Sequence, residues 1–562
     1  MLRLSELKLA LDHPPEALLA LIARTLDIAP GAIVSHTVYK RSFDARKADL
    51  RAVYIVDVQL TDAAREEALL ATHQGNAHIQ AAPDMRYRAP VQLAGLAAGL
   101  PRPVVVGFGP CGMFAALLLA RMGLRPIVLE RGKAVRERTQ DTWGLWRQGV
   151  LEPESNVQFG EGGAGTFSDG KLYSQIRDPR FLGRMVMETF VQAGAPEEIL
   201  YVAHPHIGTF KLVKVVENLR AEILALGGEI RFSQRVTDLL VEGDGTGATP
   251  RQLRGVITRA VQGGATTELR ADHVVLALGH SARDTFEMLH ARGVHIQAKP
   301  FSIGLRIEHP QSLIDRARWG RHAGHRLLGA ADYRLVHHAG NGRSVYSFCM
   351  CPGGTVVAAT SEPMRVVTNG MSQYSRSERN ANAAIVVGID PRDFPGDPPG
   401  DAALAGIALQ RALESRAYEL GGGNYRAPVQ RVDDFIAGRP SNALGEVLPS
   451  YRPGVTPGDL RALLPAYATE AIREALGAFA QKINGFDRPD AVLTGVETRT
   501  SSPIRIPRGD DFQSLNLRGL YPAGEGAAYA GGILSASVDG IKVAEAVAQS
   551  IAREAERART PD

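Results

Sequence analysis

Two glycine-rich motifs, one early in the chain and one near its end, hold the residues best suited to chemistry. The first is Gly107-Phe108-Gly109-Pro110-Cys111-Gly112. It follows an apolar run, Val104-Val105-Val106, and precedes a helical pattern from Met113 to Met122. Then come Pro126-Ile127-Val128-Leu129-Glu130-Arg131. That order reads strand, tight turn, helix, second strand, acid, and it points to a bound dinucleotide. Gly107 permits the turn, Gly109 lets the backbone approach a pyrophosphate, and Gly112 packs helix against strand. Pro110 opens a helix whose free N–H groups and positive dipole end face the phosphates. Glu130 lies about 20 residues on, where an acid accepts hydrogen bonds from a ribose diol, and Arg131 follows it at the strand end.

The second motif favours FAD over NAD. In flavoproteins of the glutathione-reductase-like group, FAD lies extended across the sheet, its adenosine end on the N-terminal glycine turn. A C-terminal strand, an acid and a following helix hold the ribityl and flavin end. Gly524-Glu525-Gly526, then Gly531-Gly532-Ile533-Leu534-Ser535-Ala536, resembles that second half. Glu525 would accept hydrogen bonds from ribityl or ribose hydroxyls, although many such proteins carry Asp there. The N–H groups near Gly532 and Ile533 would donate to flavin O2, where negative charge collects on reduction.

Further stretches match a known family: Gly107 to Met113, Ser155 to Gly163, Gly279 to Asp284, Ser347 to Gly354, Glu497 to Pro503 and Tyr521 to Gly540. Together they resemble the FAD-dependent dehydrogenases, also described as NAD(FAD)-utilising dehydrogenases, along essentially the whole chain. The resemblance implies a bound FAD and a redox role, and supplies no substrate.

Other constellations are weaker. Gly165 to Leu172 nearly spells a P-loop, but Leu172 stands where a hydroxyl should hold Mg²⁺. The better reading is a loop lying along the FAD, with Gly163 near phosphate or flavin and Lys171 near the isoalloxazine ring. Gly279 closes a buried strand, Ala271 to Gly279, at the carboxyl end where ligands gather in open α/β sheets. His280 follows it, so active-site lining and a structural hydrogen bond both stay open. Arg499, with Thr500 to Ser502, precedes the flavin-end motif and would face the flavin or an anionic substrate. Lys171, His280 and Arg499 are therefore weak catalytic candidates, and no residue demands the role of general acid or base. Cys349-Met350-Cys351 has too short a gap for an easy dithiol; in a strand both sulfurs share one face, where packing, a lining of the substrate pocket and a redox pair stay open in that order. His204-Pro205-His206 and His337-His338 have no third ligand at metal-like spacing, so no metal is expected. No second GxGxxG follows Gly112, so NAD(P)H, if it is the electron donor, binds transiently over the flavin.

The elements that must position these residues fall into three groups. Leu2 to Leu11, Glu16 to Leu26 and Arg51 to Leu60 read as strand, helix and strand, with a helix from Thr61. Lys40 to Lys47 is basic and reads as a solvated loop, and Leu93 to Pro103 as a linker. After Glu130 come helices over Phe181–Ala193 and Lys211–Leu226, and strands over Glu229–Val241 and Gly255–Ala260. Residues 300 to 490 show irregular strands and later helices. The closing segment supplies a strand, Leu517 to Pro522, and a last helix from about Ile533.

The totals bound the answer without adding to it. A chain of 562 residues needs several domains, and a net charge of +4 implies neither nucleic acid nor membrane. Three cysteines suit a reducing cytoplasm. No apolar run is long enough for a transmembrane helix, and the charged first residues predict no signal peptide.

The expected fold is α/β: a Rossmann-like FAD-binding domain of glutathione-reductase type, an inserted α+β substrate domain and a small N-terminal α+β domain. The expected boundaries are 1–92, 101–299, 300–489 and 490–562, the second and fourth segments forming the FAD-binding domain. The expected function is a cytoplasmic FAD-dependent oxidoreductase that transfers a hydride between flavin N5 and a small-molecule substrate. Two other classes stay open: a flavin-dependent monooxygenase or prenyl reductase, and a flavin-dependent RNA-modifying or RNA-binding protein using Arg41, Arg46 and Lys47. Neither the substrate nor the oligomeric state can be read from the sequence.

Overall fold

The central parallel sheet is short-stranded and covered on both faces. In the computed structural model, which describes residues 1–46, 49–93, 102–245, 250–395 and 402–559, its strands run in the order Leu520–Pro522, Val274–Leu276, Val104–Val106, Ile127–Leu129, Glu229–Arg231. All four ladders are parallel. Alternate residues point to opposite faces, which explains why these strands are apolar throughout. Val105, Val128, Val275 and Tyr521 meet the helices Pro110–Arg121, Leu182–Gln192, Thr209–Ala225 and Ile533–Arg559. Val104, Val106, Ile127, Leu129, Val274 and Leu276 pack the other way, against a three-stranded antiparallel sheet and the helix Arg283–Ala291.

The stretch expected to hold irregular strands builds the largest sheet instead. Its order is Val336–His338, Ser344–Ala358, Asn380–Ile389, Phe301–Pro310, Val492–Glu497, Ala427–Arg431, Val455–Pro457, with Thr368–Ser372 paired to Ser344–Ala358. Glycines that look like breakers are demanded by neighbours. A Cβ on Gly304 would collide with the Ile385 carbonyl, and one on Gly370 with the Arg306 guanidinium. The sheet takes in Val492–Glu497, so it runs past residue 489 and returns the chain directly to the first domain.

The N-terminal domain is a four-stranded sheet ordered Ile33–Asp44, Arg51–Leu60, Leu2–Ala10, Ile79–Ala81, backed by helices Ala17–Leu26 and Ala63–Thr72. The basic segment expected as a loop is strand through Asp44, paired residue by residue with Arg51 to Tyr54. Arg41 forms a bridge to the main body: its N–H donates to the Tyr201 carbonyl, and Ala203 N–H returns a bond to the Arg41 carbonyl at 2.9 Å. Arg46 is taken by Asp44. Lys47 and most of the expected linker, residues 94–101, lie outside the described residues. Among the described residues no helix is long and apolar enough to cross a membrane.

Candidate active site

The first glycine turn is built as tightly as its sequence suggests. Gly107 has φ +99°, and a Cβ there would sit 2.6 Å from the Ala277 carbonyl oxygen. A Cβ on Gly112 would strike the Gly107 carbonyl, so the helix lies directly on the turn. Gly109 caps the helix Pro110–Arg121, whose first internal bond runs from Met113 N–H to the Gly109 carbonyl. The Cys111 and Gly112 amides therefore have no intrahelical acceptor. Gly163 approaches from the facing loop with φ +60°, close enough that its Cβ would lie 2.9 Å from the Gly109 Cα.

Glu130 is more engaged than expected for a ribose acceptor. One carboxylate oxygen accepts from Phe108 N–H at 2.8 Å, the other from Gly132 and Gly160 N–H at 2.8 and 3.0 Å. It thus ties the turn to the second strand and to the loop, while still lining the groove. Arg131 is ion-paired to Glu154 and Asp284 and stacks over Phe159. The loop itself is pinned by Arg138, whose buried guanidinium donates to the carbonyls of Asn156, Val157, Gly160 and Glu161. No short-range pattern announces Arg138, because its partners are all backbone oxygens.

The second motif mirrors the first. The helix Ile533–Arg559 opens on the same cavity, its first internal bond running from Ala536 N–H to the Gly532 carbonyl. The two helices pack so closely that a Cβ on Gly540 would strike the Cys111 carbonyl. Asp539, paired with Arg508, accepts from Gly524 N–H at 2.8 Å and fixes the turn before Glu525. Among the described residues the Glu525 carboxylate has no hydrogen-bond partner, and it lines the cavity. Burial pushes its acid up to about 7, against the pull of Lys299.

Both motifs line one cavity of about 770 Å³, which continues into a chamber walled by the large sheet. The weak catalytic candidates all line it, each in its own setting. His280 Nδ1 lies 3.0 Å from Ser281 Oγ, and burial, with Arg499 and Arg283 nearby, holds its pKa down to about 3. Arg499 is committed to Glu414 through two nitrogens and to the hydroxyls of Ser281 and Ser361. Lys171 Nζ donates to the Met350 carbonyl, on the large-sheet side of the chamber. Cys349 and Cys351 both line the cavity but differ in exposure. A bulge puts Cys349 at φ +42° with its side chain open to the cavity, whereas Cys351 is buried and donates to the Cys349 carbonyl. His204 pairs with Asp332, His206 with the Tyr374 carbonyl, and His337 with Glu474.

Residues 300–500 match a family model described as a FAD-dependent protein, C-terminal domain-like. Residues 1–59 match a domain of unknown function. A protein of Clostridium beijerinckii, described as uncharacterized, is 45% identical over 97% of this chain and 98% of its own length. The chain belongs to a family of FAD-dependent flavoproteins. Solved structures with a weaker likeness include a geranylgeranyl bacteriochlorophyll reductase-like protein from Thermoplasma acidophilum, at 14% identity over 81% of this chain and 80% of that one, TM-score 0.33. Another is the glycerol-3-phosphate dehydrogenase of Bacillus halodurans in complex with FAD, at 12% identity over 82% and 66%, TM-score 0.34.

The flavoprotein's own residues fit the cofactor. The Gly109–Gly163 approach, two helix N-termini and one unpartnered acid converge on a single groove. Gly279 and Gly531 line it, yet a Cβ on either would meet no protein atom within 4 Å. Such glycines leave space for a ligand rather than for packing.

Proposed function

We propose that this flavoprotein is an FAD-dependent oxidoreductase of glutathione-reductase-like architecture, acting on a small molecule held in the chamber under the large sheet. The observation that carries the reading is the continuity of the groove with that chamber, with Glu525 and both helix N-termini at one end and the large sheet at the other. When bound, the flavin supplies the redox chemistry, exchanging a hydride at N5. The chain's share is binding and orientation. The Cys111 and Gly112 amides would hold pyrophosphate, Glu525 the ribityl hydroxyls, and the amides of Ile533 and Leu534 the pyrimidine edge of the ring. Ser281, accepting from Arg499 at 3.0 Å, sets the backbone turn after Gly279. His280 stays neutral through the physiological range, so its ring acts there as a hydrogen-bonding group rather than a cationic acid.

The test begins with the visible spectrum of the purified protein and anaerobic addition of NADH or NADPH. Flavin bands that bleach with one nucleotide identify the donor. Bands that persist with both, and bleach with dithionite, direct the search to a substrate reductant. A protein without flavin absorbance after incubation with FAD would overturn the proposal.

A further inference from the structure

The chamber beyond the dinucleotide groove has an uneven charge account. Most charged side chains on its walls are neutralised where they stand. Asp169 is bound through both oxygens by Arg376, Glu497 by Arg306 at 3.2 Å, and Arg499 by Glu414 at 2.9 Å, while Asp332 shares a hydrogen bond of 3.1 Å with His204 Nδ1. Two cations are left over. Lys171 has only Asp169 at 4.0 Å, a carboxylate already occupied by Arg376. Beyond the Met350 carbonyl, the ammonium keeps donors to spare. Among the described residues Arg334 has no hydrogen bond or ion pair; its guanidinium lies over the Tyr173 ring, 5.1 Å from the centroid, and lines the cavity. Lys171 and Tyr173 line the same cavity as Arg334. Leu335, Phe348 and Met350 add apolar surface to the same wall.

A half-buried ammonium and an exposed guanidinium on one cavity wall gain most from an anion that arrives with its own apolar body. We infer that the chamber binds an organic anion, its carboxylate or phosphate set between Lys171 and Arg334 and its apolar part against Tyr173, Leu335 and Phe348. Its relevance to turnover rests on the oxidoreductase reading; the binding itself does not.

The experiment is a calorimetric titration of the FAD-loaded protein with benzoate, phenyl phosphate and neutral benzamide. At least one anion should bind saturably, more weakly as salt is raised, while benzamide shows no saturation. Arg334→Ala and Lys171→Met should each weaken that anion about tenfold or more, the loss of one charge-assisted contact. Arg334→Lys should recover part of the affinity. Arg334 makes no internal bond, so its variants keep the fold, and unchanged thermal melting checks this. No binding of either anion at millimolar concentration would overturn the inference. So would equal binding of benzamide, or an affinity indifferent to both variants. Flavin content is read separately from absorbance. A protein that lacks flavin but binds benzoate defeats the proposed function and keeps the inference; one that holds flavin and ignores both anions does the reverse.

Discussion

Arg283 and Glu414 form a buried, two-pronged ion pair, with N–O distances of 3.0 and 2.7 Å, between the helix under the parallel sheet and the helix Ala405–Gly421 behind the large sheet. Arg499 binds the same carboxylate from the chain's return segment, and Arg283 reaches Glu362 as well. Three chain segments that leave the dinucleotide groove in different directions are thereby held to one point.

Removing the shared carboxylate should therefore loosen the junction of the two domains. Glu414→Ala strips the buried Arg499 guanidinium of its carboxylate and leaves Arg283 with Glu362, a loss of about 3–5 kcal/mol. Denaturant unfolding measures it. The two arginines hold the Glu414 acid far below the usual carboxylate range, against the penalty of burial. Its contribution is thus complete above the unfolded value of about 4.3 and is lost as the pH falls further. The wild type should lose more stability than Glu414→Ala as the pH falls below about 4.

His280 gives a dependence in a different window. Its folded pKa of about 3 lies well below the unfolded value of about 6.5, so the unfolded chain binds more protons between them. Stability should rise with pH across that interval, and His280→Asn should flatten the rise. His309, held down to about 4 by burial, contributes a similar slope and remains in the variant as an internal reference. Identical slopes in wild type and variant would show that His280 is not buried as described.

How much of this was legible in the sequence depends on how far apart the partners stand. The first glycine turn was readable because strand, turn, helix and acid are consecutive, and each glycine's reason is local. Gly524 to Ser535 was readable only as the counterpart of that turn. Arg499 was legible only as a flavin- or anion-facing group, and its pairing with Glu414, like that of Arg283 with Glu362 and Glu414, gave no signal, since it depends on four distant segments folding together. The bulge at Cys349 was missed for a local reason: an alternating strand predicts one setting for both sulfurs, and a bulge cannot be seen in residue types. Arg41 was misread for another, because its strand is polar on its exposed edge and looked like loop.

Glu525 titrates in the opposite sense from Glu414. Raised to about 7, the acid binds its proton more tightly in the folded apoprotein than in the unfolded chain, whose value is about 4.3. Apoprotein stability should fall as the pH rises through that window, and Glu525→Gln should abolish the fall. FAD affinity, followed by flavin fluorescence on reconstitution, should change near pH 7 in the wild type and be flat in the variant. A wild-type binding curve without a break near 7 would remove Glu525 from the cofactor site.

The glycines offer the sharpest separation of packing from ligand binding. Gly112→Ala places a methyl group against the Gly107 carbonyl, so it should destabilise the apoprotein and lose FAD together. Gly279→Ala and Gly531→Ala add a methyl group to cavity space that no protein atom approaches within 4 Å, and neither position has a positive φ. Their apoproteins should melt within a degree or two of wild type, as a surface substitution does. Their FAD affinity should nonetheless drop, because the added carbon occupies the groove. Parallel measurement of apoprotein melting and flavin retention distinguishes the cases. Full retention of FAD by both alanine variants would mean that the groove at Gly279 and Gly531 is wider than the cofactor needs, and that the binding surface lies elsewhere along the cavity.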